Sequence, residues 1–151
     1  MRTLVAIPVY NEEIYVTRVL DEVRRYTSDI LVIDDGSTDE TPALLAKQPV
    51  DVIRHARNRG YGRSLIDAFR WAACYKYDWI ITMDCDEQHE PASLPDFFAA
   101  QERDDADIIS GSRYLIDMPQ DDLPPQDRRH INATVTRWVN ERLNLNITDA
   151  F

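Results

Sequence analysis

Cysteine is scarce in this sequence. Of 151 residues only two are cysteines, Cys74 in a helical stretch and Cys85 inside an acidic cluster. That pair makes neither a disulfide framework nor the spaced set of a structural zinc site, so a reducing compartment is expected. Long apolar runs are missing too. None approaches the roughly 20 residues needed to span a bilayer, and Met1 leads almost directly into an apolar strand pattern without the features of a signal peptide. The expectation is a cytoplasmic chain. Positive charge is in short supply: 17 Lys and Arg stand against 27 Asp and Glu, a formal net charge of -10. A general grip on nucleic acid needs a positive field over the contact surface, so nucleic acid is not the expected partner. The three histidines, His55, His89 and His130, fall in separate segments with no His-x-x-x-His pair, and no serine–histidine triad can be assembled from them.

What is present is the composition of a soluble globular protein, 44% hydrophobic and 29% charged, at a length that suits one domain with a sizeable core. "TLVAIP" (3–8), "DILVIDD" (29–35), "VDVIRH" (50–55) and "WIIT" (79–82) read as short buried strands, with a fifth in "ADIISGSRY" (106–114). Between them lie helical patterns. Val16, Val19, Leu20, Val23 and Tyr26 mark the first, and Leu65, Ala68, Phe69 and Ala72 the third. Leu94, Phe97 and Phe98 mark the next, and Ile131, Val135, Trp138, Val139 and Arg142 a last one. The second helix is expected after "STDE", where Ser37 and Glu40 have capping-box spacing and Pro42 falls in the first turn. The stretch "LIDMPQDDLPPQD" (115–127) is a proline-rich acidic loop, of a length that is usually functional or mobile. Alternating strands and helices imply an α/β domain, a mostly parallel sheet with helices on both faces. The chain ends on "NERLNLNITDAF" without a polar tail, and a C-terminally truncated domain is expected.

Ligands of such sheets bind at the carboxyl ends of the strands, and "PVYNEE", "DDGSTDE", "DCDEQH" and "GSRY" all lie just after predicted strands. Asp84 and Asp86, two apart in an extended segment, can approach one hard cation together, Mg2+ or Mn2+ being the natural guest; a polar strand end capping the next helix would read the same way. Asp34 and Asp35 are either turn formers beside Gly36 or, in one of the two, an acceptor for a base or ribose. "NRGYGRS" can present backbone N–H groups to an anion at a helix start, or be a plain loop-to-helix junction; it is no Walker loop. His89, beside the acidic cluster, is a loop hydrogen-bonder or a ligand. Arg54, Arg57, Arg59 and Arg63 form one basic island and Arg128 with Arg129 another, suited to a small phosphorylated ligand.

In their order, "IPVYNEE", "VIDDGSTDET", "NRGYGRS", "DCDEQHEP" and "GSRY" resemble the motifs of family 2 glycosyltransferases of the GT-A fold over essentially the whole chain. The "DCDEQHEP", "GSRY" and "RR" pattern is most similar to the polyprenol- and dolichol-phosphate mannosyltransferases. The resemblance implies a metal-dependent, inverting transfer of a hexose from a nucleotide sugar (GDP-mannose or a UDP-hexose) to a polyprenyl phosphate. It places Pro8, Tyr10, Asn11, Glu12, Asp35 and Asp84 on the nucleotide sugar, and Asp84, Asp86 and Gln88 on the metal. Asp86 and Arg113 become catalytic candidates, and Arg113 with Arg128 would hold the acceptor phosphate, guanidinium matching phosphate oxygens in bidentate fashion. No general base is singled out, because a phosphate acceptor is already anionic. The full-length protein would work at the inner face of the cytoplasmic membrane, and a homo-oligomer is compatible with this. Two alternatives stand beside it: a nucleotide-sugar-binding domain without turnover, and a sugar nucleotidyltransferase, which would want a glycine-rich basic loop where "PVYNEE" stands.

Overall fold

The structure, a computed structural model, describes residues 1–85, 91–112 and 125–150. They fall into two compact units, Met1–Asp105 and Ala106–Phe151. In the first, β1 (Thr3–Val9), α1 (Val16–Val23), β2 (Ile30–Asp34), α2 (Thr41–Leu45), β3 (Asp51–Arg54), α3 (Tyr61–Cys74), β4 (Trp79–Thr82), a 3-10 turn (Pro91–Ser93) and α4 (Leu94–Glu102) follow one another. The second unit carries α5 (Gln126–Leu143).

All pairings in the sheet are parallel and its order is β3-β2-β1-β4. Continuous apolar runs form the central strands β1 and β2 because both faces are covered, whereas β3, at the edge, is largely exposed. Val5, Ile7 and Val9 of β1 pack with Ile30 and Val32 of β2 against α1, Leu45 and Leu94; Leu4, Ala6, Leu31 and Ile33 pack on the other face against Ala68 and Ala72 of α3. The chain moves outward from β1 to β2 to β3, then α3 carries it back across the sheet to β4 on the other side of β1. The order therefore reverses between β1 and β4, and the crevice beyond their carboxyl ends is the expected ligand position of an open α/β sheet.

Pro8 widens that crevice. β1 does not stop at this proline, as the sequence suggests, but runs on to Val9, with Pro8 opposite Ile33 and half-buried. The amide of Val5 bonds toward β2 and Met83 donates to the Ala6 carbonyl on the β4 side. By this alternation the N–H that Pro8 lacks would face β4, beyond the last paired residues Ala6 and Thr82. The missing donor costs the ladder nothing there, and the two strands are free to part.

Four expectations are corrected. Ser37 and Glu40 form no capping box: α2 starts at Thr41 without a side-chain cap, because Ser37 is spent on the loop after β1. In α3 the buried face is Ser64, Ala68 and Ala72, small residues that let the helix approach the sheet, whereas Phe69 is exposed. In α5 the buried stripe is Asn132 and Thr136, with Ile131 and Trp138 exposed. Asn132 donates to buried Asp149 at 2.6 Å and accepts from Thr136 at 2.9 Å, so a polar network outcompetes the apolar stripe for the interior of this unit. The fifth strand does not form over 106–112: a strand needs a partner's ladder, and Ile108 is 85% exposed. Arg113, Tyr114 and the acidic loop through Pro124 lie outside the described residues.

Candidate functional site

The loops after β1, β2 and β3 are bonded into one surface at the carboxyl edge. Asn11 adopts φ 58, a left-handed conformation that asparagine tolerates. Its amide N–H donates to Ser37 Oγ (3.0 Å), and its side-chain Oδ1 accepts from Thr38 N (2.9 Å). Glu12 N donates to Thr41 Oγ1 (2.9 Å), Glu13 N to Asp39 Oδ2 (3.1 Å), and Glu40 N returns a bond to Glu13 Oε2 (2.9 Å). Tyr10 stands beside this zipper with 44% of its surface exposed, leaving its ring face available to a flat ligand.

Asp34 and Asp35 differ in their bonding. Asp34 is fully buried and is the turn former: Oδ1 accepts from Ser37 N at 2.8 Å, and the Arg54 guanidinium lies 3.1 Å from Oδ2 as an ion pair without hydrogen-bond geometry. Asp35, also buried, collects donors from the loop after β3. Oδ1 accepts from Arg59 N (2.8 Å) and meets His55 Nδ1 (2.6 Å), while Oδ2 accepts from Gly60 N (2.8 Å). Burial works to raise the Asp35 carboxyl, but the His55 ring and the two amides outweigh it and hold it below the ordinary carboxylate value. His55 also faces Asp67 of α3, with Nε2 3.1 Å from Oδ2, and Arg63 bonds the same oxygen at 2.7 Å. The basic island is thus partly neutralised from within, Arg54 by Asp34 and Arg63 by Asp67.

Gly36 makes this closure feasible. It has φ 78, and a Cβ there would lie 2.4 Å from the Arg57 carbonyl carbon and 2.7 Å from Asn58 N, both backbone atoms that cannot swing aside. Gly36→Ala is expected to cost about 2 kcal/mol or more from strain and overpacking together. Urea unfolding measures it, and an unchanged midpoint would contradict the close approach of the two loops. Between the same loops an open cleft of about 610 Å³ is lined by Gly36–Asp39 and Arg54–Ala56. Pro8, Tyr10, Asn11 and Glu12 do not line it.

Asp84 lies two residues past β4, half-buried, on the other side of the crevice. Tyr61, the first residue of α3, hydrogen-bonds its carboxylate; burial and this negative charge push the phenol up to about 12, so it remains a donor. Asp84 by itself is a single oxygen ligand, and a hard divalent cation needs several. Asp86, Gln88 and His89 lie outside the described residues, and among the described residues no group of three metal-ligating side chains forms. Arg128 is exposed in the first turns of α5, in the other unit, and Arg113 lies outside the described residues. Sequence reasoning missed His55, Asp67, Asp39 and Tyr61. For His55 a signal existed: β2 and β3 pair with Asp34 opposite Arg54, which sets Asp35 beside His55 as soon as that register is assumed.

A parallel sheet that reverses its order between β1 and β4 defines an α/β domain of the GT-A type. The glycosyl transferase family 2 model matches residues 4–150, and the chain belongs to that family. It is 34% identical to an undecaprenyl-phosphate mannosyltransferase of Micrococcus luteus, over 99% of this chain and 63% of that protein. A polyprenol monophosphomannose synthase of Mycolicibacterium smegmatis is also 34% identical, over 76% of this chain and 46% of that protein. The chain thus spans about half to two thirds of these relatives' length. Among solved structures, glucosyl-3-phosphoglycerate synthase from Mycobacterium tuberculosis, in complex with Mn2+, UDP and glucosyl-3-phosphoglycerate, superposes with a TM-score of 0.52 at 24% identity, over 62% of this chain and 37% of that one. S. aureus TarS superposes at 0.55 and 22% identity, over 80% and 23%. Both likenesses concern the fold.

Proposed function

We propose that this chain forms the donor side of an inverting hexosyltransferase that moves a sugar from a nucleoside diphosphate to a polyprenyl phosphate, with Mg2+ or Mn2+. One observation carries the reading: the 10–13, 35–41 and 55–61 loops and Asp84 meet around the β1/β4 switch point. The names of the relatives, which speak of mannosyl transfer to undecaprenyl phosphate and of polyprenol monophosphomannose, support the acceptor class.

In this reading Tyr10 and Glu12 meet the nucleoside together with Pro8 and Asn11, whose Oδ1 is already spent on Thr38. Asp35 keeps one lone-pair direction of Oδ2 for an N–H or O–H of the ligand, three donors occupying the rest. Asp84, Asp86 and Gln88 would hold the cation, which supplies charge neutralisation for a departing diphosphate. Tyr61 fixes the Asp84 carboxylate, and Arg113 and Arg128 bind the acceptor phosphate. Membership of family 2 argues against the nucleotidyltransferase alternative. Among the described residues no helix is long and apolar enough to cross a membrane. The test is transfer by the full-length protein from GDP-mannose and from UDP-glucose to a short-chain polyprenyl phosphate, with the anomeric configuration of the product read by NMR. Both donors carry an α-linked sugar, so a β-linked product is expected. An α-linked product would overturn inversion, and no product from either donor would overturn the acceptor class.

A further inference from the structure

Among the described residues one histidine is buried in a loop, held by two acids from different elements. His55 is 8% exposed, with Nδ1 2.6 Å from Asp35 Oδ1 and Nε2 3.1 Å from Asp67 Oδ2. A carboxylate can only accept, so each ring nitrogen serves its partner only while carrying hydrogen. A ring with one bare nitrogen would set lone pair against lone pair at one end. Around it stand the groups that balance the charge: Arg63 on Asp67 at 2.7 Å, Arg70 at 3.6 Å from the other Asp67 oxygen, and the Arg59 and Gly60 amides on Asp35.

We propose that His55 is a positioning residue of the donor site: as a double donor it ties Asp35, at the end of β2, to Asp67 on α3, and so aims the remaining Asp35 lone pair at the nucleoside. The inference rests on the donor-site reading above. Three facts carry it. Asp35 Oδ1 takes its bonds from His55 and Arg59 and Oδ2 takes only Gly60, so the free acceptor direction lies on Oδ2. Gly60, at φ 90, is the N-cap of α3, so the same bonds fix where that helix begins. Asp67 lies on the second turn of α3, and the His55 bridge therefore pins the helix at two points to one carboxylate pair. Without the ring, the Asp35 carboxylate keeps only the Arg59 and Gly60 amides, and the tie to Asp67 that holds it against α3 is lost, so its remaining lone pair is aimed less firmly.

The experiment is calorimetric titration of uridine, guanosine, UDP and GDP, with and without Mn2+, into wild type, His55→Gln and Asp67→Asn. His55→Gln is expected to lose about ten- to a hundredfold in affinity for the preferred nucleoside and, by the same factor, for its diphosphate. The gain in diphosphate affinity on adding Mn2+ stays as in wild type, because Asp84 is untouched. Asp67→Asn shifts affinity in the same direction by less, since an amide oxygen still accepts from Nε2. Long-range proton–nitrogen spectra of histidine-labelled wild type are expected to show both His55 ring nitrogens bearing hydrogen. Unchanged nucleoside affinity in a folded His55→Gln, a loss confined to the Mn2+ response, or one bare His55 ring nitrogen would each overturn the proposal. Wild type that binds none of the four ligands would overturn the donor-site reading itself, a result separable from failure of the variant.

Discussion

Asp84→Ala is expected to abolish metal-dependent binding of the nucleotide sugar while leaving the fold intact. The side chain is half-buried beyond the last paired residue of β4, and none of the ladder or core contacts that hold the sheet passes through it. A divalent cation held by Asp84 would supply several kcal/mol of charge neutralisation to a diphosphate, so affinity in Mn2+ should fall by about a hundredfold or more, to the level seen with chelator. Asp86→Ala should do the same. The free nucleoside, which carries no phosphate, should bind both variants as it binds wild type. Calorimetry on folded protein makes the measurement, and an unchanged Mn2+ response in both variants would remove this pair from the site.

The second large effect is expected at the arginines. If Arg113 and Arg128 hold the acceptor phosphate, replacing either in the full-length protein should depress transfer and spare donor affinity. The separation would follow from charge: a metal held by the aspartates would neutralise the donor diphosphate and leave the guanidinium groups to meet the second anion. A bidentate contact to phosphate is not reproduced by an ammonium, so Arg113→Lys should lose about tenfold or more in kcat/KM for the acceptor. A transfer assay beside a donor titration, run on wild type, Arg113→Lys and Arg128→Ala, separates the roles. Collapse of donor affinity with normal acceptor dependence would move these arginines to the donor side.

The central strands β1 and β2 were legible because each is an apolar run covered on both faces, and Leu4 to Ile7 and Ile30 to Ile33 are buried as that pattern requires, whereas the edge strand β3 is largely exposed and the expected fifth strand does not form over 106–112. Helix α1 was legible for the same reason, its stripe facing the sheet. Helix faces failed where size mattered more than hydrophobicity. α3 turns Ser64, Ala68 and Ala72 inward and leaves Phe69 out, and α5 buries an amide and a hydroxyl that have partners, as Ile131 and Trp138 do not. Acids that follow strands point to the carboxyl edge as the candidate site, but the bonding among its residues was not legible. His55 meets Asp35 through strand register and Asp67 through a crossover, and Tyr61 meets Asp84 only because α3 starts beside the end of β4. Such contacts between distant segments leave no periodic trace in a sequence.

The most direct test of a metal-assisted nucleotide-sugar site at this strand edge is titration of the wild-type chain with GDP-mannose and UDP-glucose, each in chelator and then in Mn2+. A ligand selective for the folded state also raises the thermal midpoint, so calorimetry and thermal shift should agree. The account predicts that one of the two donors binds, that Mn2+ tightens it, and that the midpoint rises with donor and metal together by more than with either alone. Equal affinity in chelator and Mn2+, or no binding of either donor by folded protein, would contradict it.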